Sequence, residues 1–340
     1  MAKAQDAWTR PLWPVHLKPL PDELLSSWLV RLACAHGLKV QTFSRLLAGS
    51  SYQIWNRDID RNAPQWLLDA LCRNTATSAE DGFGTTLKAY EGKLYRSYHE
   101  SYLLQWILPL QIRRFKRIGY GLQFCPGCLV EDVDPYFRRR WRVAFYTWCS
   151  QHNAMLHDRC PSCGASVNFH RRDLGHPHEV DGGSLVQCHA CDFDYRDTPL
   201  TEPVFYEESA RRVFELAVQG LEQPSRKGMP DLQYLNVLHH LCRMMHVQYR
   251  NVRLAEFACR VLGVPGLQSR PELRTFDLRQ ITERHHMMQL GFWYMADLRN
   301  RLTVAWHDGK ISYSALLRDF EDRPKWFDLI VCEFEDWRQR

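Results

Sequence analysis

Four residue pairs with metal-ligand chemistry stand in order along the chain: Cys125 and Cys128, Cys149 and His152, Cys160 and Cys163, Cys188 and Cys191. Each pair encloses two residues, a spacing that lets a tight turn aim both side chains at one ion. Twenty residues separate the first pair from the second, and twenty-four the third from the fourth. Both gaps are those of zinc ribbons, in which two knuckles close one tetrahedral site. Sequential pairing predicts one Cys₃His site and one Cys₄ site, each holding a structural Zn²⁺ with no position left for water; closed sites support a fold rather than catalyse. A cross-braced pairing, first knuckle with third, fits the spacing as well. His157 and His189 also stand close enough to replace His152, although the two-residue spacing favours His152. Cys34, Cys72, Cys242, Cys259 and Cys332 lie on or near apolar helical faces and read as core residues.

The elements that must position these knuckles follow from the rest of the chain. Its 340 residues suffice for two or three domains, and an apolar fraction of 45% with 24% charge is that of a soluble globular protein. No apolar run reaches the roughly 18 residues of a membrane span, and the first residues do not read as a signal peptide. The expected location is therefore cytoplasmic, where thiols stay reduced and twelve cysteines argue for metal rather than disulfides. The formal charge is +5. Seven zinc-bound thiolates and two Zn²⁺ would bring it near +2. The excess is local: residues 111–172 hold eleven Lys or Arg against four Asp or Glu. A modest basic patch supports phosphate contact without demanding it.

The pattern divides into an N-terminal arm and helical domain (1–120), a double zinc-ribbon module (121–200) and a C-terminal helical domain (201–340). The expected fold is mainly α with small β elements in the ribbons. Residues 1–20, with three prolines, read as an extended arm. Pro21, Asp22 and Glu23 are expected to open a helix with acids in its first turn, and Gly37 to end it. A second helix carries Val40, Phe43, Leu46 and Leu47 on its apolar face, and a third spans residues 64–73 after Pro64. The first two, joined by a short Gly turn, form a helix-turn-helix candidate; a helical bundle without nucleic-acid contact fits the pattern equally. Residues 141–148 read as a strand-like run. Residues 224–230 read as a linker. Further helices are marked by Leu232, Leu235, Leu238, Cys242 and Met245; by a long stripe from Ile281 to Leu302; and by a final pair, Tyr313 to Phe320 and, after Pro324, Trp326, Leu329, Ile330 and Phe334.

Several enzyme classes lack their motifs. Gly309 and Lys310 have neither the upstream glycine nor the hydroxyl of a phosphate-binding loop. No nucleophile elbow or zincin helix occurs, and no glutamate follows a ligand histidine by two residues as zinc deaminases require. Asp132, Asp134 and Asp158 read as solvated or salt-bridged. The expectation is a protein that is not an enzyme. A zinc-dependent nucleic-acid-modifying enzyme is the rival from another class.

Four passages carry a family resemblance. Residues 20–33 read Leu-Pro-Asp-Glu-Leu-Leu-Ser-Ser-Trp-Leu-Val-Arg-Leu-Ala, residues 124–132 Phe-Cys-Pro-Gly-Cys-Leu-Val-Glu-Asp, and residues 136–145 Tyr-Phe-Arg-Arg-Arg-Trp-Arg-Val-Ala-Phe. In residues 149–164 a Cys-x-x-His is followed shortly by Cys-Pro-Ser-Cys-Gly. Over roughly residues 12–195 the chain resembles the TniQ family of transposition target-selection adaptors, to which TnsD is related. The resemblance implies a non-catalytic adaptor that links a target-recognition complex to a AAA+ transposition regulator. That complex is either an RNA-guided Cascade with its guide RNA, as in CRISPR-associated transposons, or target DNA read directly, as in TnsD. It implies a homodimer, with which the stripe from Ile281 to Leu302 is compatible, and a bacterial cytoplasmic protein that joins the nucleoid when acting. Two surfaces are expected to meet nucleic acid or partners: Lys39, Gln41, Ser44 and Arg45 on the second helix, and Arg138, Arg139 and Arg140 on the ribbons. Their alternative role is solvated surface, or neutralisation of the thiolates.

Overall fold

The computed structural model describes residues 12–49, 52–100, 103–110, 112–113, 116–117, 119–172, 185–222, 230–247 and 252–334. The first part of the N-terminal arm and most of the expected linker at 224–230 lie outside them. The chain groups into two compact units: residues 1–91, 98–143 and 154–201 in one, and residues 92–97, 144–153 and 202–340 in the other.

The first unit opens with helices α1 (Leu25–Ala35) and α2 (Val40–Ala48), joined through Gly37 at φ 63°. Leu38 N–H donates to Ala33 and Gly37 N–H to Cys34, so the turn satisfies carbonyls that the end of α1 would otherwise leave open. The helix starts later than expected. Asp22, at φ 57°, and Glu23 lie before it, and its first turn holds no acid. Its N-terminal amides are satisfied from elsewhere in the unit: Leu25 N–H donates to the Thr85 carbonyl and Ser26 N–H to Asp60 Oδ1 at 2.7 Å. A carboxylate aimed at a helix N-terminus is favoured by the dipole as well as the bond, so Asp60 does the work expected of Asp22 and Glu23.

Helix α3 (Gln65–Thr75) follows Pro64 as expected, and α4 (Ala79–Gly84) is capped by Ser78 accepting from Asp81 N–H. Trp13 ties the arm down: its amide donates to the Asn74 carbonyl, and its ring meets Phe43 edge-on at 5.4 Å. Two strands, β1 (Ile112–Arg113) and β2 (Lys116–Arg117), pair antiparallel. Helix α5 (Pro126–Glu131) begins on the first knuckle. Strands β3 (Trp148–Cys149) and β4 (Ala154–Met155) form a second small sheet. Of the run at 141–148 only Trp148 lies in a strand. A 3₁₀ turn occupies Arg139–Arg142, and side chains from Trp141 to Cys149 are buried without the alternation of a half-exposed strand.

The second unit is helical: α6 (Glu208–Glu222), α7 (Leu232–His246), α8 (Leu254–Leu262), α9 (Ile281–Ala296), α10 (Leu298–His307), α11 (Tyr313–Leu317) and α12 (Lys325–Val331). Helix α9 is its axis, with α6, α7 and α8 packed around it. Phe214 of α6 stacks on Phe292 at 4.4 Å, and Gly291 lets α7 approach until an added Cβ would stand 2.9 Å from Leu238 Cδ1. The long stripe from Ile281 breaks at Asp297, whose ψ of 63° ends α9 and starts α10. Because α9 is buried on nearly every side, the stripe is core and gives no argument for a dimer. In α12 the inward face is Phe327 and Val331, whereas Leu329 is exposed. No helix among the described residues is long and apolar enough to cross a membrane.

Candidate metal centres

The eight expected ligands come together as two groups. Cys125, Cys128, Cys149 and His152 each offer one ligand atom within 4.8 Å of the others, and so do Cys160, Cys163, Cys188 and Cys191. The sequential pairing is the one the fold adopts. His157 is outside the first group; its ring stacks on Phe124 instead. None of the twelve cysteines is in a disulfide; Cys332 is exposed rather than core, and Cys34 and Cys72 are half-buried.

The spacings fit a tetrahedral ion. Thiolates at about 2.3 Å from a metal stand about 3.8 Å apart, and a thiolate and an imidazole nitrogen about 3.5 Å. Cys160 and Cys191 sulfurs are 3.6 Å apart and Cys163 and Cys188 sulfurs 3.7 Å. Cys149 Sγ lies 3.5 Å from His152 Nδ1, which fixes the ring nitrogen facing the group. These distances exceed a disulfide's length of about 2 Å.

The knuckles also supply amides. Ala190 N–H reaches Cys188 Sγ at 3.4 Å, the amides of Ser162 and Cys163 face Cys160, and that of Phe193 faces Cys191. Burial pushes Cys160 up to about 12, while the Phe193 amide draws Cys191 down to about 7. Four thiols packed this closely all lose their protons only with a cation among them. The donor set and its spacing suit a metal at each group, and four protein ligands leave no position for a substrate or water.

The elements holding the knuckles are locked by ion pairs between sequence-distant residues. Arg142 is fully buried. Its guanidinium meets Asp58 at 2.6 and 3.1 Å, Asp60 at 3.2 Å and the Leu108 carbonyl at 2.8 Å. Asp60 also accepts from Ser26, so one buried carboxylate joins α1 to the segment leading into the second knuckle. Glu23, pushed up to about 6 by burial against the pull of Arg31, accepts from Ser27 Oγ, Arg31 and the Leu20 amide.

The arginines expected to present a basic face are turned inward. Arg138 makes a two-pronged pair with Asp132 and lies over the Tyr136 and Trp141 rings. Arg139 and Arg140 share Asp22, and Arg139 covers the Tyr90 ring. Their side chains are 7, 16 and 12% exposed. Asp132 and Asp158 are paired, as expected, with Arg138 and Arg159; Arg159 also lies 3.8 Å over the Tyr120 ring. On α2, Arg45 is exposed and Lys39 and Gln41 half-buried. Ser44 is inside, donating to the Val40 carbonyl and accepting from Trp55 Nε1. Leu46, expected on the apolar face, is 49% exposed.

Two aromatic residues pack beside the centres, and sequence reasoning gave neither a role there. Phe124 precedes the first ligand and Tyr195 follows the last by four positions; both are buried, with ring centroids 4.6 Å apart. Only their nearness to the ligands could have signalled them.

A search of curated proteins returned no match. The TniQ family model matches residues 14–156. That span takes in α1, α2 and the whole Cys₃His group, and stops before Cys160. Residues 14–156 thus match a TniQ family domain.

Proposed function

We propose that this protein is a non-catalytic, zinc-binding adaptor for selecting the target site of DNA transposition. The observation that carries the reading is the TniQ match, which ends with a complete Cys₃His group. In this reading Cys125, Cys128, Cys149 and His152 ligate one structural Zn²⁺, and Cys160, Cys163, Cys188 and Cys191 the other. Closed tetrahedra support that role, since a catalytic zinc keeps a position open. The adaptor joins a target-recognition complex, Cascade with its guide RNA or target DNA itself, to a AAA+ regulator, and works as a homodimer. Residues 1–120, 121–200 and 201–340 are its three functional parts. Lys39, Gln41 and Arg45, on or near the outward side of α2, are the first contacts to test.

The experiment mixes the purified full-length chain with the AAA+ regulator of its own transposon, and separately with duplex DNA of the insertion target, and reads complex formation by size exclusion at several salt concentrations. Regulator binding that depends on the chain's metal supports the adaptor. Duplex binding with a steep salt slope would instead favour a stand-alone DNA reader of TnsD type. ATP hydrolysis or DNA cleavage by the chain alone, abolished by a single acidic substitution, would refute it.

A further inference from the structure

Tyr195 is fully buried; its hydroxyl meets no oxygen or nitrogen partner, and the group it faces is the Cys188 sulfur. A phenol hydroxyl left without a good acceptor in a closed interior is destabilising, so its surroundings matter. The Tyr195 amide donates to the Val186 carbonyl at 2.7 Å, and Gln187 and Asp194 face each other across an antiparallel bridge. This holds the ring against the fourth knuckle. The ionisable groups acting on the hydroxyl are the sulfurs of Cys188, Cys160 and Cys163, Cys188 foremost. A neutral thiol is a poor acceptor. A metal-bound thiolate is a good one, and charge-assisted bonds are roughly twice as strong as neutral ones.

The ring also packs toward the first knuckle. It packs on Phe124 at 4.6 Å, and Phe124 is followed directly by the ligand Cys125. The His157 ring stacks on Phe124 as well, at 5.5 Å. Phe124 and His157 exchange two backbone hydrogen bonds of 2.9 Å, which tie the first knuckle to the segment entering the third. Rings in contact, Phe124 and Tyr195, therefore run from beside Cys125 to the fourth knuckle.

We infer that Tyr195 is a positioning residue that couples the two metal centres: its hydroxyl donates to the Cys188 thiolate of the loaded Cys₄ site, and its ring, fixed by that bond, supports Phe124 and the knuckle of Cys125. The inference rests on the reading that both groups bind metal. Outer partners of this kind typically change metal affinity 10–100-fold.

The test uses the full-length protein loaded with Zn²⁺ or Co²⁺, and Tyr195→Phe and Tyr195→Leu variants whose far-UV circular dichroism matches the parent. Metal content of the parent comes first: two ions per chain are required, and fewer would defeat the metal reading itself rather than the coupling. Zinc release to a chromogenic chelator is then followed in time, with Cys191→Ser and Cys128→Ser variants assigning the phases. Tyr195→Phe, which keeps the ring, is expected to speed release from the Cys₄ site about tenfold. In the cobalt form it should move the sulfur-to-metal charge-transfer bands to lower energy, because a thiolate without its donor holds its electrons less tightly. Tyr195→Leu is expected to speed release from both sites. Parental release rates and spectra in Tyr195→Phe, or a Tyr195→Leu effect confined to the Cys₄ site, would overturn the coupling.

Discussion

Arg142→Met removes the most heavily engaged charge in the TniQ domain. The guanidinium makes four contacts of 2.6 to 3.2 Å with Asp58, Asp60 and the Leu108 carbonyl, and nothing of its side chain reaches solvent. Asp58 keeps some exposure and can rehydrate, but Asp60 is fully buried and would lose the guanidinium while keeping the Ser26 amide and hydroxyl. Removing one partner of such a pair costs about 3–5 kcal/mol, chiefly because the other charge stays behind in a medium that solvates it poorly. At roughly 2–4 °C per kcal/mol for a unit of this size, the melting transition should fall by about 6–20 °C. Differential scanning fluorimetry on metal-loaded protein reads this directly. Arg142→Met with Asp58→Asn and Asp60→Asn should recover part of the loss, because the stranded charges are gone. A single variant melting within about 2 °C of the parent, or a triple variant no better than the single one, would show that the cluster does not act through buried charge.

Other consequences are as direct. Purified protein should hold two zinc ions per chain, and Cys160→Ser or Cys188→Ser should lose one of them; elemental analysis finding one or none in folded parent would refute the eight-ligand assignment. Acid should weaken the helical unit, since burial lowers His240 and His285 to about 4 from an unfolded 6.5. Between those values the unfolded chain takes up protons that the folded one refuses, so stability falls as pH drops from 6.5 toward 4, by on the order of 1 kcal/mol per histidine per pH unit. Melting temperature against pH checks this, and His240→Gln should flatten the dependence. Reversing Arg138, Arg139 and Arg140 together should cost more than about 2 kcal/mol in thermal or denaturant unfolding, whereas Arg45→Glu on the exposed side of α2 should stay within about 0.5 kcal/mol; equal, small effects would mean that the pairs to Asp22 and Asp132 carry no stability.

The metal groups were legible because ligand chemistry fixes spacing: two intervening residues suffice to aim a pair, and the pairs are ordered along the chain. Helices α1, α2, α3 and α7 were legible because apolar periodicity and Gly or Pro punctuation agree there. What sequence spacing could not supply was the destination of the polar residues. Asp22 and Glu23 read as first-turn acids; they pair with arginines, and Asp60, far along the chain, takes the helix terminus. Consecutive arginines read as a surface patch, yet their carboxylate partners lie at positions 22 and 132. Local pattern reports which residues can be charged, and only tertiary pairing decides which of them face water. The same limit explains Leu46 and Leu329, apolar by pattern and outward by packing.

The destinations of those charges bear on how an adaptor of this kind could hold partners. Between residues 20 and 33, Glu23, Ser26, Ser27 and Arg31 are spent on internal bonds, and Asp22 is bound to Arg139 and Arg140. The passage that most resembles the TniQ opening is therefore a latch between α1 and the segments around the first knuckle, and little of it is left to touch another molecule. Metal binding should reinforce that latch, because Arg138 pairs with Asp132 at the end of α5, the helix that carries Cys128, while Glu23 and Arg138 face each other in an antiparallel bridge. Loss of metal would loosen α5, then Arg138, then the start of α1. Partner binding by α2 would then depend on zinc although no α2 residue is a ligand, and chelation and Asp132→Ala should weaken it in the same direction.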